Sequence, residues 1–132
     1  MRRHHRRAAL ATVAALLPLA LAAAPALAQG DPAKGEKVFA RCKTCHEVAK
    51  PQNKIGPHLI GLFGRKAGTV EGFKYSEAMA GSGKVWAETT LASYLKDPKG
   101  DMPGNKMAFP GLKKEDELAN VIAYLKQATV SQ

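Results

Sequence analysis

The chain has little with which to build a disulfide framework, since Cys42 and Cys45 are its only two cysteines in 132 residues. A bond between them would close a loop too tight to add much to the stability of a whole domain. Period-two alternation of apolar and polar residues is almost missing, which argues against sheet architectures, and no βαβ pattern is present. Repeats, low-complexity linkers and any second compositional block are missing too, so one folded unit is expected rather than several. Acidic residues are scarce, 11 against 20 Lys and Arg. The basic residues are nevertheless dispersed and form no stripe of the kind that grips nucleic acid.

Residues 1–28 read as a targeting segment rather than part of the fold. Arg2, Arg3, Arg6 and Arg7 make a basic start, Ala8 to Ala24 is an Ala/Leu-rich core carrying Pro18, and Ala26-Leu27-Ala28 has the small-x-small pattern that a signal peptidase reads. A retained membrane anchor competes with this reading, because the apolar run is almost long enough to span. Pro18, Pro25 and the Ala-x-Ala end favour removal. The paired arginines lack the polar and aromatic residues of a twin-arginine signal. Cleavage after Ala28 would release residues 29–132 into the periplasm as a single domain with no stable membrane insertion. The segment takes four of the 20 basic residues and none of the acids, leaving 16 against 11 and a net +5. An exported, moderately basic domain suits an acidic protein partner, not nucleic acid.

Cys42-Lys43-Thr44-Cys45-His46 carries the most chemistry. On a helical turn residues i and i+3 share one face, so both thiols can form thioethers with one edge of a porphyrin, and His46 then lies close enough to ligate the iron. A dithiol redox pair and half a zinc site use similar residues. The missing βαβ framework weakens the first of these. A domain this small buries a modest core, which a large flat apolar cofactor would help complete.

The remaining pattern is helical, broken by Gly- and Pro-rich loops. Asp31-Pro32 is an N-cap followed by proline at the first helical position, opening a helix that runs through Val38 and Phe39 towards the cysteines. Gly35, one turn before Phe39, predicts a close helix crossing with Tyr124 and Val121 opposite. From Val48 to Lys74 the dense glycines predict loop, with a short helix starting at Ser76. A further helix spans roughly Ala87 to Lys96 and stops at Asp97-Pro98, because a residue before proline is pushed out of the helical region. Leu118, Val121, Ile122 and Leu125 follow the i, i+3, i+4, i+7 rule in a last helix over about 113–129.

Between the last two helices, 98–111 reads as a loop holding Met102 and Met107. Most methionines are adaptable core fillers, and the alternative here is a thioether ligand to iron. Spacing alone does not choose between the two.

In order along the chain, Lys34-Gly35-Glu36-Lys37-Val38-Phe39, the haem motif, Gly56-Pro57, Gly61-Leu62-Phe63-Gly64-Arg65, Gly72-Phe73-Lys74-Tyr75, Trp86, Tyr94-Leu95-Lys96-Asp97-Pro98, Pro103 to Phe109 and Ile122 to Lys126 together resemble a class I c-type cytochrome. The resemblance covers nearly all of 29–132. It implies an all-α fold of three main helices plus short helices and Ω-type loops wrapped around one covalently bound haem c. It also implies a periplasmic, monomeric carrier of single electrons, not an enzyme.

By that resemblance His46 and Met107 would be the axial ligands, with Met107 selected over Met102. Pro57 would accept a hydrogen bond from His46. Arg65, Tyr75 and Trp86 would donate to the haem propionates, Tyr94 and Asn105 would flank the methionine, and Phe109 would shield the cofactor. Lys37, Arg41, Lys54, Lys99, Lys106, Lys113 and Lys114 would ring the exposed haem edge. They would face acidic docking surfaces on a cytochrome bc-type complex and a terminal oxidase, or a photosynthetic reaction centre where the organism has one. His58, the other histidine outside the leader, reads as surface. Met79 stands where the family's mitochondrial members usually place an asparagine near the inner propionate. Both axial positions filled from the chain would exclude the competing reading, a haem enzyme or gas sensor with an open site.

Overall fold

The computed structural model describes residues 29–131, so the leader and its cleavage site lie outside the described residues. Five helices follow in order: α1 (Pro32–Phe39), α2 (Glu77–Ala80), α3 (Glu88–Lys96), α4 (Pro98–Asp101) and α5 (Glu115–Ala128). Among the described residues the only β-type pairing is an isolated antiparallel bridge between Lys66 and Val85, which fits the all-α expectation. No helix among them is long and apolar enough to cross a membrane.

The Asp31 side chain accepts from the backbone N–H groups of Ala33 and Lys34, and Pro32 opens α1. Helix α1 packs against α5 in the largest of the helix contacts. A Cβ on Gly35 would lie 1.9 Å from the Asn120 carbonyl oxygen and 2.8 Å from Tyr124 Cβ, so only glycine permits this crossing. Tyr124 is opposite as expected; Asn120, rather than Val121, supplies the nearest backbone. Asn120 Oδ1 also accepts from the Asp31 N–H at 2.7 Å. Just beyond α1, Arg41 makes two bonds to Glu117 of α5, at 3.0 and 2.8 Å.

The buried core joins Val38 and Phe39 of α1, Leu91 and Tyr94 of α3, and Leu118, Val121, Ile122 and Leu125 of α5. Leu62, Ala67, Trp86, Met102 and Leu112 enter the same cluster from the connections. The apolar stripe predicted for the last helix is thus the buried face of α5. Helix α3 ends where the Asp97-Pro98 pair requires.

The stretch from Pro98 is not wholly loop. Asp97 accepts from the Gly100 N–H, Pro98 takes the first position, and one turn of helix, α4, forms. The same N-cap and proline arrangement opens α1. Afterwards the chain returns past the end of α3, where Leu112 N–H donates to the Leu95 carbonyl at 2.8 Å. Gly111 has φ +101°, and a Cβ there would lie 2.3 Å from the Lys96 carbonyl oxygen. This return brings the segment carrying Met107 onto the core beside α3.

Candidate functional site

The cysteine motif occupies the turns that follow α1. Cys45 N–H and His46 N–H both donate to the Cys42 carbonyl, at 3.0 and 2.9 Å, so the five residues close on themselves as one turn. Both thiols are free and half-buried. Burial pushes the Cys42 thiol up, against the opposing pull of Arg41.

His46 Nδ1 lies 2.8 Å from the Pro57 carbonyl oxygen. A carbonyl can only accept, so the proton of the neutral ring is on Nδ1 and the lone pair on Nε2 is left for a metal. Burial lowers the His46 pKa, and the Pro57 bond acts the other way without cancelling it, so the ring is held in its ligating form. Gly56 fits beneath this ring. A Cβ there would be 2.4 Å from His46 Cε1 and 2.8 Å from Nδ1. Its N–H donates to the Cys45 carbonyl at 2.8 Å, which ties the bracing loop to the motif.

The two methionines of the 98–111 stretch differ in burial. Met102 is 4% exposed and belongs to the core cluster, while Met107 is half-buried against its edge. Asn105 organises the segment between them. Its Nδ2 donates to the carbonyls of Pro98 and Met102 at 2.7 and 2.8 Å. Its Oδ1 accepts from the Met107 N–H at 3.0 Å and from the Tyr94 hydroxyl at 3.4 Å. All four hydrogen-bonding positions of the amide are thereby used. The Tyr94 hydroxyl is also 3.9 Å from Met107 Sδ. Burial first, and then the charge of Asp101, push its pKa up to about 12, so it stays a donor.

Cys42, Leu59, Met107 and Phe109 all pack against the cluster that contains Trp86 and Tyr94, whose rings are 5.2 Å apart. Arg65 is half-buried, donates to the Ile60 and His58 carbonyls at 2.8 and 3.2 Å, and has no carboxylate partner among the described residues. Burial lowers its pKa. Tyr75 accepts from the Val70 N–H at 3.2 Å and so keeps its own proton to donate. A cationic guanidinium without an anion and a phenol with a spare donor suit the carboxylates of a haem. Two half-buried thiols, a neutral imidazole with a free Nε2 and a poised thioether suit its attachment and its iron. The residues present therefore fit the group.

Other predicted residues fall into place less simply. His58 is half-buried rather than surface, because Asn53 Oδ1 holds its N–H at 3.1 Å and Arg65 holds its carbonyl, and its Nδ1 is shut off without a partner. Met79 packs on the core edge. Lys37, Lys54, Lys99, Lys106, Lys113 and Lys114 are exposed. Lys113 donates to the Lys96 carbonyl at 2.8 Å, and Lys54 donates to that of Lys43. Arg41 commits its guanidinium to Glu117, and Lys114 Nζ lies 3.9 Å from the same carboxylate. Sequence reasoning gave no role to Asn53, which bridges His58 to the Glu71 carbonyl, nor to the fit of Gly56 under His46. The Gly56-Pro57 pair was the available signal for the second.

The sequence model described as cytochrome c matches residues 32–129. Cytochrome c2 of Blastochloris viridis is 50% identical over 113 residues, covering 85% of this chain and 88% of that protein. Cytochrome c-554 of Methylosinus trichosporium is 47% identical over 117 residues, 88% of this chain and 89% of its own length. Among solved structures, cytochrome cH from Methylobacterium extorquens superposes with a TM-score of 0.69 at 46% identity, covering 74% of this chain and 98% of that one.

Proposed function

The chain belongs to the cytochrome c family, binds haem c covalently through Cys42 and Cys45 and is an electron carrier rather than an enzyme; from that premise we propose that His46 Nε2 and Met107 Sδ would hold its iron. The observation that carries this is the fourfold engagement of Asn105, which fixes the Met107 backbone while Tyr94 reaches the sulfur. Asn105 meets Met102 only at its carbonyl, and the Met102 side chain is consumed by the core.

Bound there, the haem supplies a one-electron ferric/ferrous couple. The chain's work is to hold that couple in one geometry. His46 is oriented by Pro57 and by the close fit of Gly56, and Met107 by Asn105 and Tyr94. With both ligands supplied by the chain, a reactant would find no open site on the metal, and the chemistry supplied would be outer-sphere electron transfer. Thioether ligation and burial both favour the reduced state. Arg65, Tyr75 and Trp86 hold the propionates, and Phe109 shields the cofactor from water.

Residues 1–28 direct export and are removed after Ala28, and residues 29–132 serve in the periplasm as a monomer. Lys37, Lys54, Lys99, Lys106 and Lys113, with smaller contributions from Arg41 and Lys114, which share Glu117, present a positive face to acidic surfaces of a cytochrome bc-type complex and a terminal oxidase or reaction centre. Such a face speeds encounter, and salt weakens it.

Carbon monoxide binding to the ferrous protein tests the ligation. The native protein and Met102→Ala should not bind it at neutral pH, whereas Met107→Ala should. Ready binding by the native protein, or none by Met107→Ala, would remove the assignment.

A further inference from the structure

The ion pair between Lys84 and Asp101 has no part in the function described so far. Its side chains are only 21% and 13% exposed, against 51% and 45% for the Lys126–Glu88 pair on the surface. Partial burial and charge-assisted bonding make such a contact worth more than an exposed pair. The second Asp101 oxygen accepts from Ser93 Oγ at 2.6 Å. Asp101 therefore joins three segments: the stretch before Trp86 through Lys84, α3 through Ser93, and α4, which it ends.

Two of those segments present the groups that hold Met107. Tyr94 follows Ser93 on α3. Asn105 is bonded to the carbonyls of Pro98 and Met102, at the two ends of α4. A single helical turn has too few internal bonds to stay formed unaided. Its position depends on what grips it from outside, namely the buried Pro98 and Met102 and the Asp101 bonds.

We propose that Asp101 is a positioning residue for the iron–sulfur bond: by tying α4 to Lys84 and Ser93, it fixes Asn105 and Tyr94 relative to one another and so keeps Met107 from swinging away. The inference rests on the reading of Met107 as a ligand. It adds that the resistance of the site to foreign ligands is set partly by a pair that touches neither methionine nor haem.

The test uses the haem-loaded protein in the ferric state, titrated with imidazole, which competes with sulfur for the iron. The shift of the main haem absorption band on imidazole binding gives the association constant for every variant, and where sulfur is on ferric iron the red band that reports it is lost in step. Asp101→Asn and Lys84→Met should each raise that constant about fivefold to tenfold, within the range that the net loss of one ordinary hydrogen bond produces. The double variant should be little worse than either single one, because both remove the same contact. Deuterium exchange of the Met107 amide should accelerate by a similar factor.

Glu88→Gln removes the Lys126 pair and serves as the control for a general loss of stability. Its constant should not move. Wild-type constants for Asp101→Asn and Lys84→Met, alongside much tighter binding by Met107→Ala, would overturn the positioning role and leave the ligand reading standing. An equal rise in Glu88→Gln would overturn it as well. An unchanged constant in Met107→Ala would remove the ligand and the proposal with it.

Discussion

Replacing Gly56 with alanine tests whether the loop after the cysteine motif braces the imidazole by direct contact. The added methyl would sit 2.4 Å from His46 Cε1, 2.8 Å from Nδ1 and 3.0 Å from Nε2. Carbon atoms at rest are about 3.5–4.0 Å apart, so something must move by roughly an ångström. The Pro57 carbonyl holds His46 on one side, and under the proposed ligation the iron would hold it on the other, so the loop must give. Overpacking of this kind costs about 1–3 kcal/mol, and stretching the 2.8 Å Nδ1–Pro57 bond costs about 1 kcal/mol more. A total loss of about 2–4 kcal/mol is expected in denaturant unfolding of the haem-loaded protein. The reduction potential should shift too, because the Pro57 bond sets the basicity of the ligand. Chemical denaturation followed at the haem band gives the first quantity, and a redox titration the second. Gly56→Ala with a wild-type midpoint and a wild-type potential would refute the reasoning.

Gly35→Ala should cost about 3 kcal/mol or more, since its Cβ meets the Asn120 backbone 1.9 Å away, and a denaturant midpoint close to that of the native protein would show that the helices separate freely. The His58 pKa is lowered by burial and by Arg65, so its neutral form contributes stability above about pH 6.5 that is lost as pH falls through the folded-state value. His58→Asn should therefore flatten the stability profile below that pH, as read from denaturant midpoints across the range. Reversing Lys99 and Lys106 to glutamate should slow association with an acidic redox partner in stopped-flow traces at low salt, and the difference should shrink as salt is added. Equal rates for native and reversed proteins at low salt would place the docking face elsewhere.

The long-range helices were legible because each carries its own local cause. Asp31-Pro32 starts α1, Asp97-Pro98 stops α3, and the spacing of Leu118, Val121, Ile122 and Leu125 gives α5 its buried face. Helix α4 was passed over although Asp97-Pro98 repeats the signal of Asp31-Pro32. Gly100 and the nearby Pro103 read as turn, and the grip that keeps the turn helical comes from Lys84, Ser93 and Asn105, distant or later in the chain. The haem motif was plain from five adjacent residues. The choice between Met102 and Met107 was not, because it depends on which thioether the core consumes. His58 misled for a related reason: its neighbours suggest an exposed loop, while Asn53 and Arg65 pin its backbone inward.

The two sides of the site are secured by different chemistry. Around His46 the bracing is local: Pro57 lies 11 residues away, the contact is to a backbone carbonyl, and Gly56 is tied directly to Cys45. Cys42, Cys45 and His46 sit in the same turn, so haem attachment through the two thiols would also hold the proposed imidazole ligand in place. Around Met107 the bracing converges from α3, α4 and Asn105 through side-chain hydrogen bonds, none of them covalent. Each such bond contributes about 0.5–1.5 kcal/mol, and no covalent link backs them up. Local opening is therefore expected to begin on the sulfur side while the rest stays folded. Asp101, at the meeting of α3 and α4, acts where that opening starts.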